Sequence, residues 1–125
     1  MTDIKWLAAP EPHDYPSARS YLLLVLSPKE VDDVLTRLSK AEITFFKAKD
    51  ILRASRLKPL SDANHHVDRD LKKIKNSEAL SPILLVRGDL STGSHLTVAD
   101  GYHRVCAAYW DAEDVEVACQ IVGLA

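Results

Sequence analysis

Leu96-Thr97-Val98-Ala99-Asp100-Gly101-Tyr102-His103-Arg104-Val105-Cys106-Ala107-Ala108-Tyr109-Trp110 is the stretch on which the reading of this 125-residue chain turns. It predicts a short apolar strand over 96–99, a turn at Asp100-Gly101, and a helix from Tyr102 to about Trp110. Glycine lets the backbone turn with positive φ, and the first N–H groups of a helix have no partners within it. They face outward at the end where the macrodipole favours negative charge. His103 and Arg104 add an imidazole and a planar guanidinium fork, which either meet phosphate oxygens or cap the helix and pair with Asp100 or an acidic neighbour. Asp100 reads either as a helix cap or as a catalytic base or metal-linked carboxylate. Tyr102 reads either as a platform for a nucleobase or as a cover over the strand end.

Around this stretch, the last fifty residues are mostly sheet. Ser81-Pro82 breaks the chain, and Ile83-Leu84-Leu85-Val86 is a continuous apolar run, the mark of a buried interior strand. Gly88–Ser94 is turn-forming, so the strand at 96–99 returns antiparallel. An acidic turn at Asp111, Glu113 and Asp114 closes the helix. Val115, Val117, Cys119 and Ile121 then alternate with Glu116, Ala118 and Gln120 as a half-buried strand.

Upstream, Ile43-Thr44-Phe45-Phe46 is β-prone. Lys49–Ser55 predicts a short helix, and residues 61–66 a polar loop that includes His65 and His66. Val67, Leu71 and Ile74 recur at i, i+4, i+7, which predicts an amphipathic helix over 67–76. Ser27-Pro28-Lys29-Glu30 is a capping box with proline at the first helical position, followed by Val31, Val34, Leu35 and Leu38 at helical spacing. Ser17 caps a predicted helix over Ala18–Leu26, apolar nearly all round and therefore either buried or at a subunit interface. Residues 1–16, with Pro10, Pro12 and Pro16, read as an irregular arm on which Trp6 and Leu7 dock.

Bulk properties narrow the function classes. Apolar residues at 46% and charged residues at 27% match an ordinary folded domain rather than a disordered chain. A net charge of −2 disfavours general affinity for nucleic acid or anionic membranes. Cys106 and Cys119 have no zinc or framework spacing and read as core thiols of a reduced compartment. The longest apolar run, Tyr21–Leu26, is too short to span a bilayer, and no leader pattern opens the chain. A cytoplasmic location is expected. Nothing in the spacing of His65 and His66 demands a metal. Residues 47–75 hold nine Lys or Arg against four Asp, and residues 111–116 hold four acids. This reads either as a phosphate-holding side or as a solvated face balanced by an acidic one.

The order of apolar strand with leading proline, hairpin, strand, Asp-Gly-x-His-Arg, helix and final strand resembles the ParB/sulfiredoxin-like (ParB-like nuclease domain) superfamily. The matching residues are Ser81–Val86, Leu96–Arg104, Ala107-Ala108 and Val115–Val122, with Lys47–Leu60 and the helix at 67–76 similar to the segment that precedes them. The resemblance spans about residues 44–123 and leaves residues 1–40 unplaced. It implies an α+β fold, a small mixed sheet of about four strands with flanking helices. The organisation expected is an N-terminal arm and helical extension over 1–43 and a ParB/sulfiredoxin-like domain over 44–125, packed as one unit.

The resemblance also implies a phosphate site at the helix start. Gly101, His103 and Arg104 match its positions, Tyr102, Lys47, Lys49 and Arg53 are candidate nucleotide contacts, and Asp100 and His103 are candidate catalytic groups. The implied cofactor is ATP or another nucleoside phosphate with Mg²⁺, with phosphotransfer or nucleotide hydrolysis as the associated chemistry. Tyr102 stands where sulfiredoxins carry their reactive cysteine, so that repair chemistry is not implied. A non-enzymatic protein that dimerises or docks through Tyr21–Leu26 is the alternative. A DNA-associated nuclease-like module is a weaker one.

Overall fold

Ser27 and Glu30 close the expected capping box: the Ser27 hydroxyl accepts from Glu30 N and the Glu30 carboxylate accepts from Ser27 N. The helix they start, α2 (Pro28–Lys40), buries Val31, Val34 and Leu38 along one face. The structure is a computed structural model that describes residues 3–124. In chain order the remaining elements are α1 (Asp14–Leu22), β1 (Thr44–Lys47), α3 (Ala48–Ser55), α4 (His65–Lys75), β2 (Ile83–Val86), β3 (Thr97–Asp100), α5 (Tyr102–Asp111) and β4 (Glu116–Val122).

The fold is α+β, with a four-stranded mixed sheet in the order β1-β4-β2-β3. β1 is antiparallel to β4, β4 is parallel to β2, and β2 forms the expected antiparallel pair with β3. All four residues of β2 are buried, as a central strand covered on both faces requires. Its alternate side chains feed two cores: Ile83 and Leu85 meet α3, α4 and α5, while Leu84 and Val86 meet α1 and α2.

This two-sided cover corrects the half-buried reading of β4. Val117, Ala118, Cys119 and Gln120 are all buried, because β4 is also central and α2 packs on the face that was expected to be wet. The one long polar side chain there is satisfied: Tyr15 Oη donates to Gln120 Oε1 at 2.7 Å, and Gln120 Nε2 donates to Ala41 O at 2.9 Å.

Helix bounds supply two further corrections. The first helix begins at Asp14 and ends at Leu22, so Ser17 lies inside it and Leu23–Leu26 form a turn. Ala18 and Leu22 are its fully buried apolar residues, Tyr15 and Leu26 pack beside them, and Leu24 is 82% exposed. His65 and His66 are not in a loop: the Asn64 side chain accepts from His66 N and Val67 N, which starts α4 two residues early. The arm does dock, since Leu7 N donates to Leu80 O and Leu80 N to Lys5 O, each at 2.9 Å.

Three α5 side chains on one face, at i, i+4 and i+8, fix that helix to the segment after α3. Tyr102 Oη donates to Lys58 O, Cys106 Sγ accepts from Leu60 N, and Trp110 Nε1 donates to Leu60 O. Among the described residues no helix is long and apolar enough to cross a membrane.

Candidate functional site

Gly101 sets the geometry of the β3–α5 junction. It has φ +109°, and a Cβ built there would stand 2.4 Å from Ile83 Cγ2 and 2.9 Å from Arg104 Nη2. Glycine thus brings the start of α5 down onto β2, and Val105 N closes the first helical turn on Gly101 O. Among the described residues no side chain caps this end, and no acidic residue sits in the first turn. Asp100 is therefore not the N-cap. It belongs to β3, and its carboxylate accepts from Arg104 Nη2 at 2.6 Å.

Arg104 is engaged on every side. Its Nη1 donates to Ser81 O at 3.1 Å and lies 3.4 Å from Asp14 Oδ2. Asp14 is held in turn by the Ser81 hydroxyl and by Glu11 N. The guanidinium, 13% exposed, therefore ties the start of α1, the approach to β2 and the end of β3 to α5. Both neighbouring carboxylates are spent on it. Burial pushes the Asp100 carboxyl above its ordinary value, with Arg104 pulling the other way and Asp14 adding to the rise.

Two clefts flank this junction. A polar one of about 390 Å³ runs between α4 and the starts of α1 and α5, lined by Arg69, Asp70, Lys73, Gly101, His103 and Arg104 among others. An apolar one of about 340 Å³ lies on the other side, lined by Tyr21, Leu57, Leu96, Val98 and Tyr102. They meet at Ser17, Asp100, Gly101 and His103, which line both.

The His103 ring packs against His66, with centroids 4.7 Å apart. Burial lowers its pKa first, the His66, Arg69 and Arg104 charges lower it further, and Asp70 opposes them. Asp70 is only 5% exposed as a residue, and its carboxylate, with neither a hydrogen bond nor an ion pair among the described residues, keeps solvent contact at the cleft. Its carboxyl is raised by burial, against the pull of Lys73, Arg104, Arg69 and His103.

The sequence-derived candidates divide by position. Gly101, Tyr102, His103, Arg104 and Asp100 stand together at the junction. Lys47 and Lys49 do not: Lys47 pairs in register with Glu116, and Lys49 Nζ is 2.7 Å from Asp114 Oδ1. Both lie near the far end of α5, about 15 Å along a ten-residue helix. Arg53 lines a separate groove of about 440 Å³ with Arg56, Arg87 and Phe46.

The free cations of the polar cleft are instead Arg69 and Lys73, which the residue patterns had not singled out as contacts. With His66 and Asp70 they stand at i, i+3, i+4 and i+7 of α4, a polar stripe beside the apolar one, so a signal for them exists in the sequence. Asp14 and Ser81 had no such signal.

Among the described residues no group of three or more His, Cys, Asp or Glu is placed to hold a metal ion. No protein-family model, curated protein or solved structure matches the chain.

Proposed function

We propose that the chain is a nucleotide-binding domain of the ParB/sulfiredoxin-like class, with the phosphates in the polar cleft and the base in the apolar one. The observation that carries this reading is the meeting of the two clefts at Gly101 and His103, beneath unpartnered N–H groups of α5. Phosphate oxygens would be met by the N–H groups of Tyr102 and His103, the His103 imidazole, Arg69 and Lys73. Arg104 serves this site indirectly, by holding Asp100 and Asp14 and so fixing the Gly101 turn. Tyr102, its hydroxyl anchored on Lys58 O, offers a ring edge to the apolar cleft for a base. Phosphotransfer or hydrolysis at this site would rest on positioning and charge stabilisation more than on a strong base.

A thermal-shift panel of ATP, ADP, CTP and GTP, each with and without Mg²⁺, tests the reading. At least one nucleotide is expected to raise the melting temperature, and Arg69→Ala with Lys73→Ala to abolish the rise. No rise with any nucleotide overturns it.

A second reading, a protein that dimerises through the segment Tyr21–Leu26, is favoured by one feature. Tyr21 in the last turn of α1, and Leu23, Leu24 and Val25 after it, are all substantially exposed. Sedimentation of the wild-type chain beside Leu24→Asp decides it. A wild-type dimer dissociated by the substitution supports the reading, and a wild-type monomer removes it.

A further inference from the structure

The polar cleft contains one carboxylate that nothing else in the fold uses. Four acids line it: Glu11, Asp14, Asp70 and Asp100. Glu11 is exposed and stands 3.4 Å from the His13 imidazole. Asp14 is occupied by Ser81, Glu11 N and Arg104, and Asp100 by Arg104. Asp70 alone is nine-tenths buried and without a partner among the described residues. Its oxygens, unlike Asp111 Oδ2, are not sealed from solvent, so a carboxylate without a partner opens onto the cleft from a largely buried residue, placed to meet something bound there.

The surrounding charges narrow what that is. Arg69 and Lys73 flank Asp70 on α4, and His103 and Arg104 face it from α5. A bare cation entering this setting meets two free cationic side chains. An anion meets a buried carboxylate. A polyphosphate carrying its own divalent cation satisfies both: its oxygens go to Arg69, Lys73 and the α5 N–H groups, and its metal goes to Asp70.

We propose that Asp70 is the protein's oxygen ligand for the divalent cation that accompanies a nucleoside polyphosphate bound in this cleft, an inference that rests on the nucleotide reading above. Mg²⁺ fits the donor set, because it is held by one or two carboxylates together with substrate phosphates and water. Zinc does not, since no third protein ligand is gathered here. Ca²⁺ fits less well, because its protein sites gather several carboxylates and carbonyls where this cleft offers one free carboxylate. The raised Asp70 carboxyl follows from burial without such a cation, and a divalent charge beside it would reverse the shift.

Calorimetric titration of the full chain with ATP, in Mg²⁺ and separately in EDTA, tests the inference. Mg²⁺ is expected to tighten ATP binding at least about fivefold in the wild type and less than about twofold in Asp70→Asn. Binding in EDTA should persist in that variant, which removes a negative charge from the phosphate site. Asp70→Glu, which keeps a carboxylate, should recover part of the Mg²⁺ gain, and Mn²⁺ in place of Mg²⁺ should show protein-dependent broadening of its EPR signal with ATP only when residue 70 is a carboxylate. A Mg²⁺ gain undiminished in Asp70→Asn, or no gain in the wild type, overturns the role of Asp70 and leaves the nucleotide reading standing. No ATP binding under either condition removes the role and counts against the nucleotide reading as well.

Discussion

Replacing Gly101 by alanine should be among the most damaging single-atom additions to this fold. Two costs combine. The backbone sits at φ +109°, where an L-residue is strained, and the added methyl would lie 2.4 Å from Ile83 Cγ2 and 2.7 Å from Ile83 Cβ. Strain of this kind costs about 1–3 kcal/mol, and forcing a methyl into a packed core costs about 1–3 kcal/mol more. The sum, about 2–6 kcal/mol, is a large part of the roughly 5–15 kcal/mol that stabilises a domain. For 125 residues the unfolding entropy converts each kcal/mol to about 4 °C, so the melting temperature should fall by about 8–24 °C.

Gly93 provides the control, since its φ is +79° and nothing stands within 4 Å of a built Cβ. Gly93→Ala carries the strain alone and should lose only about 1–2 kcal/mol. Thermal unfolding by circular dichroism measures both, and urea titration checks that the midpoint moves without a change in slope. Equal losses at the two glycines would refute the close-approach argument. So would a fall of less than about 3 °C for Gly101→Ala, since that is under 1 kcal/mol.

Arg104→Met should destabilise by about 3–5 kcal/mol at pH 7, because it strands two buried carboxylates beside each other. Without the guanidinium the Asp100 carboxyl rises further. The folded state then binds a proton more readily than the unfolded one, and stability is lost as pH rises from about 4 through that higher value. Urea unfolding at pH 4 should therefore show a smaller deficit than at pH 7. The His103 imidazole should titrate in NMR below the ordinary value of about 6.5, lower still in Asp70→Asn and higher in His66→Ala. Since the folded state favours the neutral ring, its contribution is complete above about pH 6.5 and is lost as pH falls through the depressed value. A midpoint that ignores both substitutions would break the proposed cluster. Cys119 is pushed up to about 12 by burial and Cys106 is also raised, so neither should react with a disulfide reagent at pH 8 until the chain unfolds. Rapid labelling of the native protein would contradict their burial.

The local code of this chain is strong where neighbours in sequence are neighbours in space. The Ser27–Glu30 box, the apolar stripe of α4, the run Ile83–Val86 and the Asp100-Gly101 turn each predict their element, because capping, helical period and positive φ act within a few residues. The features misjudged or left open are those decided by distant partners. β4 looks half-wet by alternation, yet α2 covers its second face. Arg104 reads either as a phosphate ligand or as the partner of Asp100 or another acid, and Asp14, ninety residues away, joins Asp100 in taking its charge. Lys49 looks available, yet Asp114 claims it.

The stretch from Leu96 to Trp110 thus determines by itself a strand, a glycine turn and a helix whose first N–H groups are uncapped. Which charges surround that helix start was a matter for the tertiary structure. An isolated guanidinium or carboxylate has the same chemistry wherever it stands, and only packing settles whether a buried counter-charge meets it. At Arg104 two carboxylates do, and at Arg69, Lys73 and Asp70 no protein counter-charge pairs with them among the described residues.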